Sequence, residues 1–119
     1  MYEDNRKTIE LTRTVKGDVL VLAIAGRLTI GRVDEVDVFF KEALARPEDK
    51  YVLDLSGMTH IVSSGIGVLI AFRERVMNAG GTLAVGGLNK RVLNIFRLMS
   101  LDKFFTIHPS VDDAVQGLA

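Results

Sequence analysis

Cysteine is absent from this chain of 119 residues. That removes disulfide frameworks, thiolate nucleophiles and cysteine zinc sites together. Histidine is scarce: His60 and His108 lie far apart in sequence and form no histidine metal motif, so no metal is expected. There is no excess of one charge, because 15 Lys and Arg balance 15 Asp and Glu. A dedicated nucleic-acid binder carries a basic excess or stripe to replace the counterions on phosphates, and a polybasic membrane anchor needs the same. Neither partner is expected. No apolar run approaches the roughly 20 residues of a membrane span. The opening MYEDNRKTIE carries no apolar signal region, which predicts a cytoplasmic location.

What is present suits a packed domain. Hydrophobic residues make up 48% of the chain. At this length folding buries about two-thirds of the surface that the unfolded chain exposes, enough for a core. One domain over residues 1–119 is expected, with no internal repeat, linker or low-complexity segment.

Residues 8–15 alternate apolar and polar, the period of a half-buried strand. Lys16-Gly17-Asp18 is a turn signal, and 19–25 is a second strand of aliphatic residues that Gly26 ends, so the fold opens with a hairpin. From Gly31 the period lengthens. Val33, Val36, Phe40 and Leu44 form one stripe of a helix, with Asp34, Glu35 and Asp37 near its positive end and Pro47 beyond its stop. A short strand at 51–55 ends at Ser56-Gly57, and 59–65 reads as a loop. A second helix covers about 64–78, with Ile66, Leu69, Ile70, Val76 and Met77 inward and Ala79-Gly80-Gly81 as its end. Then come a strand at 82–85 and a helix at 89–99 with Val92, Ile95, Phe96 and Met99 on one side. A strand at 104–107 follows, and a last helix opens at Pro109-Ser110. The order β-β-α-β-α-β-α-β-α predicts an α/β sandwich whose mixed sheet has about five strands and about four helices, with right-handed parallel crossovers after the hairpin.

Ser63-Ser64-Gly65 falls where a loop meets a helix N-terminus. Free backbone N–H groups and the partial positive charge there stabilise a phosphate, so a serine at this point can carry a phosphoryl group. Ser63 or Ser64 can equally be a plain N-cap, and spacing alone leaves both roles open. Gly65 and Gly67 each cost roughly 1 kcal/mol against alanine inside a helix. Tight packing on the sheet or close approach of a partner backbone would offset that. Nucleotide fingerprints fail: G-I-G lacks a third glycine, and no glycine-rich loop ends in Gly-Lys-Ser/Thr. A hydrolase elbow G-x-S-x-G is missing around both serines, and His60 reads as a loop side chain rather than a general base. Asp54 reads either as a site carboxylate or as a hydrogen-bonded strand end. No nucleophile–base pair or metal set marks an enzyme, and no catalytic residue or cofactor is expected.

Several stretches in fixed order resemble the STAS family, the sulfate-transporter and anti-sigma-factor-antagonist domains. They are G-R-L at 26–28, D-L-S-G at 54–57, S-S-G-I-G-V-L at 63–69, N-A-G-G-T-L-A-V-G-G at 78–87 and S-L-D-K-F-F at 100–105. The likeness covers nearly the whole chain and points to the antagonist branch, bacterial regulators of transcription. It implies a partner-switching phosphoprotein that binds an anti-sigma factor, a serine kinase of the histidine-kinase-like ATPase fold. Phosphorylation at the first serine of the pair, Ser63, would release it, and a phosphatase would restore it. A constitutive STAS interaction subunit of a transport or scaffold complex, never phosphorylated, is the alternative. The implied partner face comprises His60, Val62, Ser63, Ser64, Gly65, Arg73, Lys90 and Arg91, with Arg75 and Arg97 as further candidates. Val62 and Thr29 stand where the antagonist branch usually has aspartates.

Overall fold

A computed structural model describes residues 9–118. Strand β1 (Ile9–Lys16) and strand β2 (Val19–Leu28) form the predicted antiparallel hairpin. A 3-10 turn at Ile30–Arg32 leads into helix α1 (Val33–Leu44), and strand β3 (Lys50–Asp54) then pairs parallel to β2. Strand β4 (Met58–Ile61), helix α2 (Ser63–Asn78), strand β5 (Thr82–Gly86) and helix α3 (Lys90–Leu98) follow. After a second 3-10 turn at Leu101–Lys103, strand β6 (Thr106–His108) and helix α4 (Val111–Leu118) complete the described chain. The sheet runs β1-β2-β3-β5-β6, with β4 also on β2, and every pairing except the hairpin is parallel.

The mixed α/β sandwich agrees with the expectation, but among the described residues the sheet has six strands rather than about five. The extra strand comes from the segment read as a loop. β2 does not end at Gly26: Gly26 takes φ +98°, the register shifts there, and pairing continues with β4 through Leu28. Gly57 makes this possible, because a Cβ on it would lie 2.8 Å from Ala25 Cβ. Its carbonyl accepts the Gly26 N–H at 2.8 Å. The bulge breaks strict alternation, so Met58 is buried, Thr59 and His60 are exposed and Ile61 is half-buried. A period-2 reading cannot detect such a strand. The last strand also begins two residues later than expected, since the Leu101–Lys103 turn carries the chain to Phe105.

Alternation along β2 sends Leu20, Leu22 and Ile24 to one face and Val19 and Val21 to the other. The larger core lies under α1, α2 and α3, where Phe72 stacks on Phe40 at 4.1 Å between ring centroids. The smaller core packs Ala114, Val111, Val115 and Leu118 of α4 on Val19, Val21, Val52 and Ala84. Burying such side chains is worth roughly 1.5–3 kcal/mol each. Met77 and Met99, expected inward, are each 49% exposed because Phe72 and Phe96 fill the core beneath α2 and α3.

Candidate functional site

The C-terminal end of β2 positions the site. Leu28 pairs with Ile61, and its carbonyl accepts the Val62 N–H at 3.2 Å. Val62 is thereby held extended at φ −100°, ψ 167° and forms the N-cap of α2, with no side-chain hydrogen bond to the helix. Neither Ser63 nor Ser64 is the cap. Both are exposed residues of the first turn. The first intrahelical bond runs from Ile66 N–H to Val62 C=O at 3.0 Å, so the N–H groups of Ser63, Ser64 and Gly65 lie ahead of it.

The two glycines of this turn have different reasons. A Cβ on Gly65 would lie 2.8 Å from Leu28 Cγ and 3.2 Å from Ile61 Cγ1, so glycine lets α2 settle on the strand ends. Gly67 is exposed, and a Cβ there would meet nothing within 4 Å. Packing accounts for Gly65 and not for Gly67.

α3 brings its basic start to the same place. Asn89 caps α3 by accepting the Val92 N–H at 3.0 Å, and its Nδ2 donates to the Met58 carbonyl at 2.6 Å. The Arg91 guanidinium then lies 3.5 Å from His60 Nε2, while His60 Nδ1 sits 3.0 Å from Thr59 Oγ1. His60, Val62, Ser63, Ser64, Gly65, Lys90 and Arg91 thus occupy β4, its exit and the start of α3. Asn89 was missed by the sequence reading, although asparagine just ahead of a helix is a strong cap signal.

Arg73 is placed elsewhere. It lies about 15 Å along α2 from Ser63 at a rise of ~1.5 Å per residue. Its Nε donates to the Phe104 carbonyl at 2.5 Å, Nη1 pairs with Glu74 at 2.7 Å, and the guanidinium covers the Phe104 ring at 5.8 Å. Arg75 faces Asp37 on α1 at 3.5 Å, and Arg97 sits in the last turn of α3. Asp54 is a hydrogen-bonded strand end: its Oδ1 accepts from Ser56 N at 3.0 Å and Ser56 Oγ at 2.6 Å.

Electrostatics separate the four described helices into two pairs. α1 has Asp34 and Glu35 in its first turn and α4 has Asp112 and Asp113, which complement the helix dipole. α2 and α3 have no acid there, and α3 instead opens on Lys90 and Arg91, cations at the end where the dipole disfavours them. Among the described residues neither cation pairs with a carboxylate. The two uncompensated N-termini are the two at this site. By contrast, the hydrogen-bonded ion pair of Lys50 with Asp18, at 2.8 Å, sits at the opposite end of β2. The Lys50 hydrogen bond lowers the Asp18 carboxyl below its ordinary value.

Among the described residues no group of three or more His, Asp or Glu side chains converges to hold a metal. No helix there is long and apolar enough to cross a membrane.

The β-β-α-β opening, the bulged β2–β4 junction and the serine pair on α2 belong to one mixed α/β domain. The STAS domain family model matches residues 10–114, and the chain belongs to that family. Among its relatives is the anti-sigma F factor antagonist of Paenibacillus polymyxa, 31% identical over 101 residues, which cover 84% of each protein. An anti-sigma factor antagonist from Mycobacterium paratuberculosis shares the fold with a TM-score of 0.81 and 22% identity over 98% of each chain. The phosphorylated form of the Bacillus cell-fate determinant SpoIIAA shares it with a TM-score of 0.69 and 13% identity, over 93% of this chain and 99% of that one.

Proposed function

We propose that this chain is an anti-sigma factor antagonist that works by partner switching and is not itself an enzyme. Its partner is an anti-sigma factor with serine-kinase activity of the histidine-kinase-like ATPase fold. The single observation that carries the reading is that two acid-free helix N-termini flank β4, with Arg91 of α3 3.5 Å from His60 on the strand that leads into the exposed Ser63. A domain gains little stability from cations at that end of a helix, whereas an acidic partner surface gains a ready-made positive field. The likeness to a curated anti-sigma F factor antagonist supports the partner class, and the phosphorylated form of SpoIIAA supports the modification.

Ser63 is the residue modified in this reading. Its hydroxyl is exposed in the first turn of α2, ahead of the first intrahelical hydrogen bond. A phosphoryl group there adds nearly two negative charges at neutral pH and three acceptor oxygens next to free N–H donors. It would neutralise the field that attracts the partner and repel the partner's own acids. The kinase supplies ATP and the base that takes the serine proton, so no carboxylate is needed on this chain. A phosphatase reverses the step.

The second reading, a constitutive STAS subunit that is never phosphorylated, draws on Val62 and Thr29. Thr29 follows Leu28, whose carbonyl holds Val62, so both non-acidic positions fall at one point beside Ser63. Incubation with ATP and an anti-sigma factor kinase of the histidine-kinase-like ATPase fold from the same organism, followed by mass spectrometry, separates the two readings. The switch requires phosphate on Ser63. Phosphate on Ser64 alone contradicts the assignment of Ser63, and none from a kinase active on another substrate supports the second reading.

A further inference from the structure

β1 is the edge of the sheet, and among the described residues its outer side has no partner strand. The two-residue turn Gly17-Asp18, with Gly17 at φ +65°, closes the hairpin on the pair Lys16 and Val19. Such a turn closes on a pair that exchanges both backbone hydrogen bonds. Counting back from it, Lys16, Thr14, Thr12 and Glu10 direct their backbone groups to β2. Those of Val15, Arg13, Leu11 and Ile9 point outward, a template for one more strand.

We propose that the strand seated there is β1 of a second copy, antiparallel about a two-fold axis at Arg13. A two-fold perpendicular to the sheet keeps odd-numbered residues facing odd-numbered ones, and these are the residues whose backbone groups are free on both chains. In this register Leu11 stands opposite Val15 of the second copy, Thr12 opposite Thr14, and Glu10 opposite Lys16, each pair occurring twice. Apolar, threonine and opposite-charge pairs across strands are the favourable kinds.

The described surface carries groups that suit this register. Glu10 has no ion-pair partner among the described residues. Lys16 has a 3.6 Å contact with the exposed Asp112. Val15 is 48% exposed, and Leu11 lines an open groove with Val38 and Phe39. Arg13 would face its own copy, yet its guanidinium is drawn off the axis by Glu42 at 2.7 Å and by the Phe39 ring at 5.3 Å. A register centred on Thr12 instead would set Glu10 against Thr14 and Leu11 against Arg13, losing the charge match.

The test uses the whole chain in sedimentation equilibrium. The wild type forms a concentration-dependent dimer, Glu10→Lys weakens it roughly tenfold, and Glu10→Lys with Lys16→Glu restores it. Because the chain has no cysteine, Arg13→Cys supplies a sole thiol at the axis and oxidises to a linked dimer, whereas Thr12→Cys does not. Circular dichroism confirms that each variant is folded. A chain that stays monomeric to its solubility limit, a dimer indifferent to Glu10→Lys, or cross-linking through Thr12→Cys rather than Arg13→Cys overturns the proposal.

Discussion

Asn89 Nδ2 donates to the Met58 carbonyl at 2.6 Å, fastening the start of α3 to β4. The same side chain caps α3 through its Oδ1. One residue therefore fixes where Lys90 and Arg91 stand relative to His60 and Ser63. Asn89→Ala removes both bonds and is expected to lower stability by about 1–2 kcal/mol, read from urea unfolding. Asn89→Asp keeps an acceptor for the cap but loses the donor to Met58. It should retain more stability than the alanine variant while still weakening partner binding. If both variants bind like wild type, the placement of α3 is irrelevant to recognition.

The two glycines of α2 give opposite expectations. Gly65→Ala forces a methyl against Leu28 and Ile61 and should destabilise by about 1–3 kcal/mol. Gly67→Ala meets nothing and should stabilise by up to about 1 kcal/mol through helix propensity. If a partner backbone approaches closely at Gly67, the same substitution weakens binding. A stabler chain that binds worse is the signature. A stabler chain with unchanged binding removes Gly67 from the interface.

Val62→Asp puts a carboxylate at the N-cap of α2, where the present valine makes no side-chain bond. The variant is expected to gain about 1 kcal/mol in unfolding free energy as a cap. It also places negative charge one residue from Ser63, so affinity for an acidic partner surface should fall. Stability and binding again move in opposite directions. A rise in both would mean that the partner presents positive charge to this end of the helix.

Much of this was legible in the residues. The apolar stripe of α1 and the alternation of β2 follow from periodicities of 3.6 and 2, and parallel crossovers follow from element order. The start of α2 was placed within one residue. What stayed hidden depends on contacts distant in sequence. β4 exists because a positive-φ bulge at Gly26 meets a close approach at Gly57, and neither glycine announces the other. Arg73 looked like a site cation, but the turn after α3 returns Phe104 to it. Asp54 likewise shows its role once Ser56 is seen folding back on it. The absence of acids at two particular helix N-termini could be read from the sequence, but their meeting at one end of β2 required the fold.

The account rests on charge at Ser63 controlling partner binding. Its most direct test is calorimetric titration of an anti-sigma factor kinase that binds the wild type into wild type, Ser63→Ala and Ser63→Asp. The expected result is that Ser63→Ala binds within about twofold of wild type while Ser63→Asp is weakened by roughly a hundredfold or more, as for an unpaired charge in a buried interface. Equal affinities for the two variants would contradict it.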